Sequence, residues 1–359
     1  MTNKNSIFCL SLEELEAFCI KNSAKKFNAF QIMKWIYSAK VYDFNNMTNI
    51  SKTLRASLDY HFNFTMPEIT ANFREDAADG NYSIKYLIKL NDGSAIESVF
   101  IDYGKRKTLC VSSQAGCKML CDFCSTGNSG FQRNLTSGEI ISQILLIENE
   151  CKTKITNIVF MGMGEPLDNL SEVKKALEII SDPNFIGVAR RKITISTCGI
   201  IDKLIEIKDL KYKIAISLNA SNNYSRSQIM PINKKYPIED IAKFISSGKY
   251  FGHNKITLEY VLLKDFNDSI NNAKELIKLF FPQNVKFNLI PFNKFDIENT
   301  DLAKTSCGTP TKNNYERTSE TAYNNFQDKL MKAGFIVTIR HSKAQSIYGG
   351  CGQLKVNLL

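Results

Sequence analysis

The 359-residue sequence contains no apolar run approaching the about 18 to 20 residues that a membrane-spanning helix requires. It also has no short-period repeat and no low-complexity tract, which excludes a repeat array and a low-complexity chain. The first residues, MTNKNSIFCLSLEELEAF, include acidic side chains where a signal peptide would have an uninterrupted apolar segment. We therefore expect a cytoplasmic protein in a reducing compartment.

The ten cysteines do not indicate a disulfide scaffold. Such scaffolds belong to short secreted proteins, whereas a chain of 359 residues can bury a large core and suggests two or so structural units. The formal net charge of +10 favours a polyanionic partner, because basic surfaces attract phosphates and release counterions. Many basic proteins bind no nucleic acid, so charge alone leaves RNA and DNA as candidates only.

Residues 1–70 are predicted to form a helical N-terminal domain. The segment SLEELEAFCIKN begins with Ser followed by Glu three residues later, which is typical of a capping box. The segment KKFNAFQIMKWIYSAK has apolar residues at helical spacing: Phe30, Met33, Ile36 and Tyr37. An ordinary amphipathic helix explains this pattern. Lysines interleaved with Phe27, Trp35 and Tyr37 would also suit a nucleic-acid surface.

Residues 71–105 are predicted to form a β-hairpin linker. YSIKYLIKLNDGSAIESVFI alternates polar and apolar residues around Asn91-Asp92-Gly93, and Asp-Gly suits the positive φ angles of a tight turn. Residues 106–300 then alternate strand and helix patterns, which indicates a parallel sheet, open or partly closed into a barrel. Functional groups gather at the carboxyl ends of such strands.

Residues 301–359 are predicted to form a C-terminal extension. Its first part is polar, contains Cys307, and is expected to be a loop. A final helix at about 320–333 and the strand FIVTIR lead to the tail HSKAQSIYGGCGQL.

The pattern C-x3-C-x2-C, formed by Cys117, Cys121 and Cys124, follows a predicted strand. Thiolates at such spacing can hold one inorganic cluster or metal, and three ligands to a four-iron cluster leave one iron open to substrate. A structural zinc site differs from this motif, because it normally has four protein ligands. Structural zinc or a redox pair is nevertheless the alternative to a cluster.

A second feature, VFMGMGEP, places Gly162, Gly164 and Glu165 at the end of the next predicted strand. Glycine allows a ligand to approach the backbone closely, and the Glu165 carboxylate can accept hydrogen bonds from an ammonium group. A Gly-Pro turn after a strand is common, so this segment becomes informative only beside the cysteine motif.

Together the two features resemble the radical S-adenosylmethionine superfamily. The segments LCVSSQAGC, FCSTG, RNLT, MGMGEP, ISTCG, MPIN and CGQL further resemble the adenosine C2 methyltransferases of 23S ribosomal RNA and transfer RNA. QIMKWIY and NISKTLR extend this resemblance over nearly the whole chain. It implies an α/β fold: a partial (β/α)6 TIM-like barrel with a small RNA-binding helical domain and a β-hairpin extension. A close relative methylates C8 of the same ribosomal adenosine, which is the alternative activity.

The resemblance also implies roles for individual residues. Cys117, Cys121 and Cys124 would hold a [4Fe-4S] cluster. The contacts to S-adenosylmethionine would come from Gly164, Glu165, Ser196, Ser217, Leu218, Asn219 and Asn293. Cys351 would be methylated, Cys110 would resolve a later covalent intermediate, and Glu97 would accept a proton. The competing interpretations are that Glu97 is an exposed hairpin residue and that Cys110 is a buried strand thiol.

The implied chemistry explains why both cysteines are needed. C2 of adenine is electron-poor, so direct methyl transfer from a sulfonium is not feasible, and a methylcysteine at Cys351 divides the difficult step. Two S-adenosylmethionine molecules are consumed, one of them cleaved to a 5'-deoxyadenosyl radical with an electron from a flavodoxin or ferredoxin. Substrates would be adenosines in the peptidyl transferase centre of 23S rRNA and next to the tRNA anticodon. The product-releasing step leaves a disulfide between Cys110 and Cys351.

The sequence departs from the family pattern around the tail. Asn219 replaces a usual histidine, Gly349-Gly350 replaces Ala-Ala, and Lys343-Ala344 replaces Arg-Gly. These changes surround the methyl-carrying loop and therefore concern the RNA substrate more than the cluster. A non-catalytic RNA-binding protein with structural zinc is the alternative from another functional class.

Overall fold

The computed structural model describes residues 4–207, 210–247, 255–294, 315–340 and 344–355. The predicted loop around Cys307 lies outside the described residues. No helix in the described ranges has the length and apolar character needed to cross a membrane.

The N-terminal segment is helical, as predicted. It consists of β1 (Asn5–Ser6), α1 (Leu12–Lys21), α2 (Phe27–Met33), α3 (Lys52–His61) and β2 (Phe62–Asn63). The predicted capping box is present at α1: Glu14 N–H donates to Ser11 Oγ over 3.1 Å, and Ser11 N–H donates to Glu14 Oε2 over 2.7 Å. Strands β1 and β2 pair in parallel and close this segment.

The aromatic residues of this segment do not form one exposed surface. Tyr37 is 3% exposed and belongs to the hydrophobic core, and Trp35 is half-buried with its Nε1–H donating to Asn49. Phe27 is 56% exposed, with Lys25 over its ring. The amphipathic-helix interpretation is therefore correct for Tyr37, and of Phe27, Trp35 and Tyr37 only Phe27 has an exposed ring.

The rest of the chain builds one large sheet and the helices that connect its strands. The strands are β3 (Glu68–Asp76), β4 (Tyr82–Lys89), β5 (Ala95–Tyr103), β6 (Arg106–Cys110), β7 (Gln114–Gly116), β8 (Phe131–Asn134), β9 (Asn157–Phe160), β10 (Ile193–Thr197), β11 (Lys213–Ser217), β12 (Ile256–Leu262), β13 (Val285–Pro291) and β14 (Ile336–Ile339). The helices are α4 (Ser125–Asn128), α5 (Ser137–Glu150), α6 (Leu170–Ser181), α7 (Ile201–Ile207), α8 (Asn223–Ile229), α9 (Ile238–Ser246), α10 (Ile270–Leu279) and α11 (Glu320–Lys332).

Within the described residues, the large sheet has the order β14-β13-β12-β11-β10-β9-β6-β5-β4-β3. The predicted hairpin is formed by β4 and β5 around Asn91-Asp92-Gly93, and Gly93 has a φ of +88°. Strand β3, which the sequence analysis missed, extends the hairpin to three antiparallel strands. From β6 to β14 every pairing is parallel, so β14 follows the six predicted barrel strands as a seventh.

Alternate residues of the parallel strands line a common interior. On β10 to β13 these include Thr194 and Ser196, Lys213 and Ser217, Thr257 and Glu259, and Lys286 and Asn288. Their spacing of two or four residues places them on one face, because successive side chains of a strand point to opposite faces. Val99 of β5 and Arg340 after β14 line the same cavity although their strands are far apart in the sheet order. The sheet therefore curves into a partial barrel.

Arg226 of α8 holds the ends of two barrel strands together. This fully buried guanidinium donates to the carbonyl oxygens of Cys198, Ser217 and Leu218 over 2.7, 3.3 and 3.0 Å. It also donates to Asn233 Oδ1 over 3.0 Å. Five donors in one planar group can satisfy several carbonyls that would otherwise be buried without partners.

We expect Arg226→Met to lower the free energy of unfolding by about 3 kcal/mol, because buried carbonyl oxygens lose their donors. Arg226→Lys should lie between wild type and Arg226→Met, since three donors replace five. Urea unfolding of the full chain measures both values. Arg190→Met is the matched control, because Arg190 is exposed and donates to one carbonyl over 3.4 Å. Equal stability of Arg226→Met and the control would contradict this role.

Candidate active site at the barrel mouth

An upper cavity of about 160 Å³ lies at the carboxyl ends of the parallel strands. Side chains from chain positions more than two hundred residues apart meet there. The predicted site residues that line it are Cys117, Cys121, Cys124, Gly164, Glu165, Ser196, Ser217, Asn219, Asn293 and Cys351. The structure thus brings ten of the thirteen predicted residues to one cavity.

A lower cavity of about 530 Å³ lies inside the barrel toward the amino ends of the strands. It is lined by Cys110 of β6 and by residues early in the other strands, such as Thr194, Lys213 and Thr257. The residues shared by the two cavities are Met161, Glu259, Arg340, Cys351 and Leu354. Cys351 therefore faces both the upper cavity and the lower cavity with Cys110.

Three predicted site residues lie outside the upper cavity. Cys110 is buried in the lower cavity beside Cys351, and burial first and then the nearby Cys351 raise the pKa of Cys110 to about 12. Leu218 is fully buried in the hydrophobic core, so its side chain is not available to a ligand. Glu97 is also buried, which rules out an exposed hairpin position.

Glu97 is held between two donors. Its Oε1 lies 3.0 Å from Lys85 Nζ, and its Oε2 accepts from Lys355 N–H over 2.9 Å. Lys85 and Glu97 are both buried, so each charge depends on the other for compensation. Burial raises the pKa of Glu97, and the Lys85 ammonium opposes that increase. The hydrogen bond from Lys355 N–H places this carboxylate in contact with the end of the chain segment that carries Cys351.

The three motif cysteines are half-buried thiols beside backbone donors. Burial raises the pKa of Cys117 to about 12 and also raises the pKa values of Cys121 and Cys124. The backbone N–H of Met119 faces the sulfur of Cys117, and those of Thr126 and Gly127 face the sulfur of Cys124. Such donors stabilise thiolates, which are the form that binds metal.

The donor set fits a cluster better than a single ion. Among the described residues, no three His, Cys, Asp or Glu side chains are grouped to hold one metal ion. In an iron-sulfur cluster each thiolate binds a different iron, so the three sulfurs need not converge on one point. Cys117, Cys121 and Cys124 face one cavity with polar groups on its other walls, which leaves room for a second ligand beside the cluster.

Glu165 and the glycines before it are fixed by packing against the chain that follows β6. A Cβ on Gly164 would lie 2.5 Å from the Cβ of Gln114, and Gly164 has a φ of +94°. The absence of a side chain at Gly164 therefore lets its backbone pack against Gln114, and Gly164 also lines the cavity. Glu165 accepts from Cys198 N–H over 2.7 Å and from Leu167 N–H over 3.1 Å. Each carboxylate oxygen retains acceptor capacity toward the cavity.

Asn219 occupies a left-handed backbone position, with a φ of +56°. Asn adopts this conformation more readily than most residues. Its Oδ1 accepts from Val261 N–H over 2.9 Å, which ties the ends of β11 and β12 together. The replacement of the usual histidine thus suits the backbone at this position.

The tail loop, residues 344–355, is docked on the cysteine motif and on β13. Ser125 N–H donates to Gly352 O over 2.7 Å, and Thr126 Oγ1 donates to Leu354 O over 2.6 Å. Asn293 Nδ2 donates to Cys351 O over 3.4 Å. These contacts hold Cys351 next to Cys124, although the two residues are far apart in the chain.

The other end of the tail loop is held by Glu75 of β3. Its carboxylate accepts from the N–H groups of Ala344 and Ser346 over 2.7 Å each. Ala344 is buried with a φ of +63°, a conformation that favours glycine. A Cβ on Gly349 would lie 2.8 Å from the Cβ of Ala344. The two departures from the family pattern therefore compensate for each other. The space between positions 344 and 349 holds one methyl group, which Ala344 provides here and an alanine at position 349 provides in the family pattern.

Two residues of the site were missed in the sequence analysis. Arg340, just after β14, donates to Met161 Sδ over 3.3 Å, and its guanidinium interacts electrostatically with Cys351, Glu259 and Cys110. Lys85 pairs with Glu97. Arg340 could have been recognised as a basic residue at the end of the predicted strand FIVTIR. Lys85 could not, because a lysine is an ordinary polar residue in an alternating strand.

We expect Gly349→Ala to destabilise the tail loop, because its Cβ would collide with Ala344. Combining it with Ala344→Gly should restore stability, since this removes both the collision and the left-handed strain of about 1 kcal/mol on alanine. The free energies of unfolding of the two single variants and the double variant form a double-mutant cycle, with an expected coupling of about 1 to 2 kcal/mol. Additive effects would contradict the reciprocal packing.

Comparisons with known proteins agree with this architecture. The profile described as "Ribosomal RNA large subunit methyltransferase N-terminal domain" matches residues 6–63, and that of the "Radical SAM superfamily" matches residues 111–277. A radical SAM methyltransferase from Sphaerobacter thermophilus has a similar structure, with a TM-score of 0.83, 33% identity, and coverage of 98% of this chain and 99% of that chain. The predicted partial radical S-adenosylmethionine barrel is thereby confirmed.

Curated relatives share the full length of the chain. It is 40% identical to a probable dual-specificity RNA methyltransferase RlmN of Clostridium novyi, over 99% of this chain and 98% of the relative. It is 39% identical to the dual-specificity RNA methyltransferase RlmN of Pseudomonas fluorescens, over 98% of this chain and 90% of the relative. These similarities confirm the resemblance seen in the sequence, and the chain belongs to the RlmN family of radical S-adenosylmethionine RNA methyltransferases.

Proposed function

We propose that this enzyme methylates C2 of adenosine in 23S rRNA and in tRNA, through a methylcysteine at Cys351. The observation that carries the proposal is the position of Cys351, which faces both the cysteine motif in the upper cavity and Cys110 in the lower cavity. A methyl-carrying thiol and its resolving partner must both reach one reacting carbon. Two Gly residues precede Cys351 and one follows it, which suits a loop that moves during the reaction.

The upper cavity supplies the ligands for both cofactors. Cys117, Cys121 and Cys124 would hold a [4Fe-4S] cluster, which together with S-adenosylmethionine would supply a 5'-deoxyadenosyl radical. Glu165 would accept hydrogen bonds from the ammonium group of S-adenosylmethionine. The polar side chains that remain for its other groups are Ser196, Ser217, Asn219 and Asn293. A flavodoxin or ferredoxin would provide the electron.

The two cysteines divide the work on the base. The Cys351 thiolate first accepts a methyl group from S-adenosylmethionine. The 5'-deoxyadenosyl radical would take one hydrogen atom from that methyl group, and the resulting carbon radical would add to C2 of the adenine. The adduct would then lose one electron to the cluster. Cys110 then attacks the sulfur of Cys351, the carbon–sulfur bond breaks, and its electron pair passes to the CH2 carbon on C2, which takes up a proton to become the methyl group. A disulfide between Cys110 and Cys351 remains. Arg340 interacts with both sulfurs and would stabilise the thiolate form of each.

Glu97 is the proposed acceptor of the proton from C2. It is not among the described residues that line either cavity, but Lys355 N–H joins it to the loop that carries Cys351. Movement of that loop would expose the carboxylate to the base. Until then, the Lys85 ammonium, 3.0 Å from Glu97 Oε1, opposes the increase in pKa that burial causes.

The N-terminal helices and the basic surface would hold the RNA. The exposed ring of Phe27, with Lys25 beside it, offers a stacking and charge contact to an unpaired base. The target adenine would be extruded from the RNA into the upper cavity. We propose four structural units: the RNA-binding helical domain 1–70, the β-hairpin linker 71–105, the barrel 106–300, and the C-terminal extension 301–359 that carries Cys351.

Cys351→Ala should retain iron and sulfide but form no methylated RNA, because no thiol carries the methyl group. We expect less than about 1% of wild-type product after anaerobic reconstitution with rRNA or tRNA fragments, S-adenosylmethionine and reductant. Mass spectrometry against methyladenosine standards measures the product and its position. Cys151→Ala is the matched control, because Cys151 contacts Tyr86 away from the cavity.

Other outcomes of this experiment would select the alternatives. Undiminished methylation by Cys351→Ala would remove Cys351 from the mechanism. Formation of 8-methyladenosine alone would identify the C8 activity. Zinc without iron or sulfide in the purified protein, together with RNA binding and no methylation, would identify a non-catalytic zinc protein.

Lys85→Gln should move the acid limb of the pH–rate profile to a pH about 1 higher. Burial already raises the pKa of Glu97, and loss of the Lys85 charge raises it further, so the carboxylate becomes protonated at a higher pH. Lys85→Arg keeps the positive charge and should leave the profile near that of wild type. Methylation rates between pH 5.5 and 9 at fixed ionic strength measure the limb. Coincident profiles for both variants would exclude Glu97 as the proton acceptor.

A further inference from the structure

The lower cavity gives the cysteine pair a second connection to solvent. It extends from Cys110 and Cys351 toward the amino ends of the strands, where Arg106 and Lys213 are exposed. Its volume of about 530 Å³ falls within the range of small-molecule sites, about 300 to 1,000 Å³. Nothing in the proposed methylation requires a cavity at this end of the barrel.

The outer part of the lower cavity is strongly basic. Arg106, Lys213 and Lys286 lie close enough for their charges to interact: burial, then Lys286, then Arg106 lower the pKa of Lys213. Within the described part of the chain, none of these cations lies within salt-bridge distance of a carboxylate. With Arg340 the lining has four cations, against the single carboxylate of Glu259. An anion is therefore attracted into this cavity.

The inner part of the cavity is suited to a neutral or polar stem. Val99 and Val159 lie beside Cys110 at this inner end, whereas Thr194 and Thr257, which pair in register with Lys213 and Lys286, add hydroxyl groups nearer the mouth. A short ligand with an anionic end would leave its charge near the mouth and place its other end at the sulfurs. Arg340, at this inner end, interacts with both cysteines.

We infer that the lower cavity admits a small anionic thiol that reduces the disulfide between Cys110 and Cys351. The inference rests on the disulfide-forming step of the proposed function. The upper cavity is the proposed site of the RNA base and of both cofactors, so the lower cavity offers a separate path to the same sulfurs. The ligand class is a short thiol bearing a carboxylate, sulfonate or phosphate group.

The reduction is an ordinary thiol–disulfide exchange. The thiolate of the reductant attacks one sulfur, the Cys110–Cys351 bond breaks, and the electron pair leaves on the other cysteine. A second reductant thiol attacks the mixed disulfide and releases the oxidised reductant as its own disulfide. Two electrons and two protons reach the enzyme, which regains both thiols. The Arg340 guanidinium would stabilise the leaving thiolate, and a more stable thiolate leaves faster.

The test uses the reconstituted full chain and two thiols of similar size. Mild oxidation with diamide forms the disulfide, which peptide mapping by mass spectrometry assigns to Cys110 and Cys351. Its reduction is then followed with 2-mercaptoethanesulfonate, which is anionic, and with 2-mercaptoethanol, which is neutral. We expect Lys213→Gln/Lys286→Gln to slow the anionic thiol about tenfold at low salt and the neutral thiol less than about twofold. High salt should reduce the difference, because it screens the charges.

Two further variants complete the test. Lys203→Gln/Lys243→Gln removes two lysines on outer helices and should leave both rates unchanged. Thr257→Phe narrows the cavity and should slow both thiols while iron content and circular dichroism stay those of wild type. Equal rates for wild type and the Lys213/Lys286 variant with the anionic thiol, or undiminished rates in a folded Thr257→Phe variant, would overturn the inference.

The two proposals fail in different ways. RNA methylation without charge-selective reduction would refute the path through the lower cavity and leave the proposed function intact. Charge-selective reduction of the chemically formed disulfide, without RNA methylation, would support the path and refute the proposed function.

Discussion

The site depends on one constraint: successive side chains of a strand point to opposite faces, so a curved parallel sheet directs every second residue inward. In most sheets of this kind the inward residues are apolar and fill the core. Here the positions that face the interior include Thr194, Ser196, Glu259 and Asn288, and the interior contains two cavities instead of a packed centre. The outward face keeps the fold stable through its apolar side chains, which leaves the inner face free for chemistry.

The second requirement is to hold the tail loop against this interior. Its contacts come from four parts of the chain: Glu75 on β3, Glu97 on β5, the residues after Cys124, and Asn293 after β13. These contacts use backbone groups of the tail, and the side chains of Gln345, Ser346 and Gln353 add further hydrogen bonds. None of these hydrogen bonds involves the side chain of Cys351. This arrangement permits a reactive thiol to be both well placed and free to react. Through Glu75, strand β3, which the sequence analysis missed, also contacts the tail loop of the site.

Buried charges connect the two cavities. Arg340 and Glu259 line both, and Asn288 Nδ2 donates to Glu259 Oε2 over 2.6 Å. Buried ions are stable only when other charges or hydrogen bonds compensate for lost hydration. The same requirement explains the Lys85–Glu97 pair and the carbonyl oxygens around Arg226. Such networks favour one arrangement of the strands, since a shifted register would leave a charge without compensation.

The sequence by itself determined the features that follow from local pattern and short spacing. Alternation predicted the β4–β5 hairpin, repeated strand and helix patterns predicted the parallel sheet, and spacing predicted the group of Cys117, Cys121 and Cys124. The family resemblance added the roles of Glu97, Cys110 and Cys351. Only the tertiary structure decided that Leu218 belongs to the core, that Glu97 is buried against Lys85, and that Ala344 and Gly349 share the space of one methyl group. These outcomes depend on contacts between residues distant in the chain. Propensity and periodicity describe only neighbouring residues, so they cannot predict such contacts.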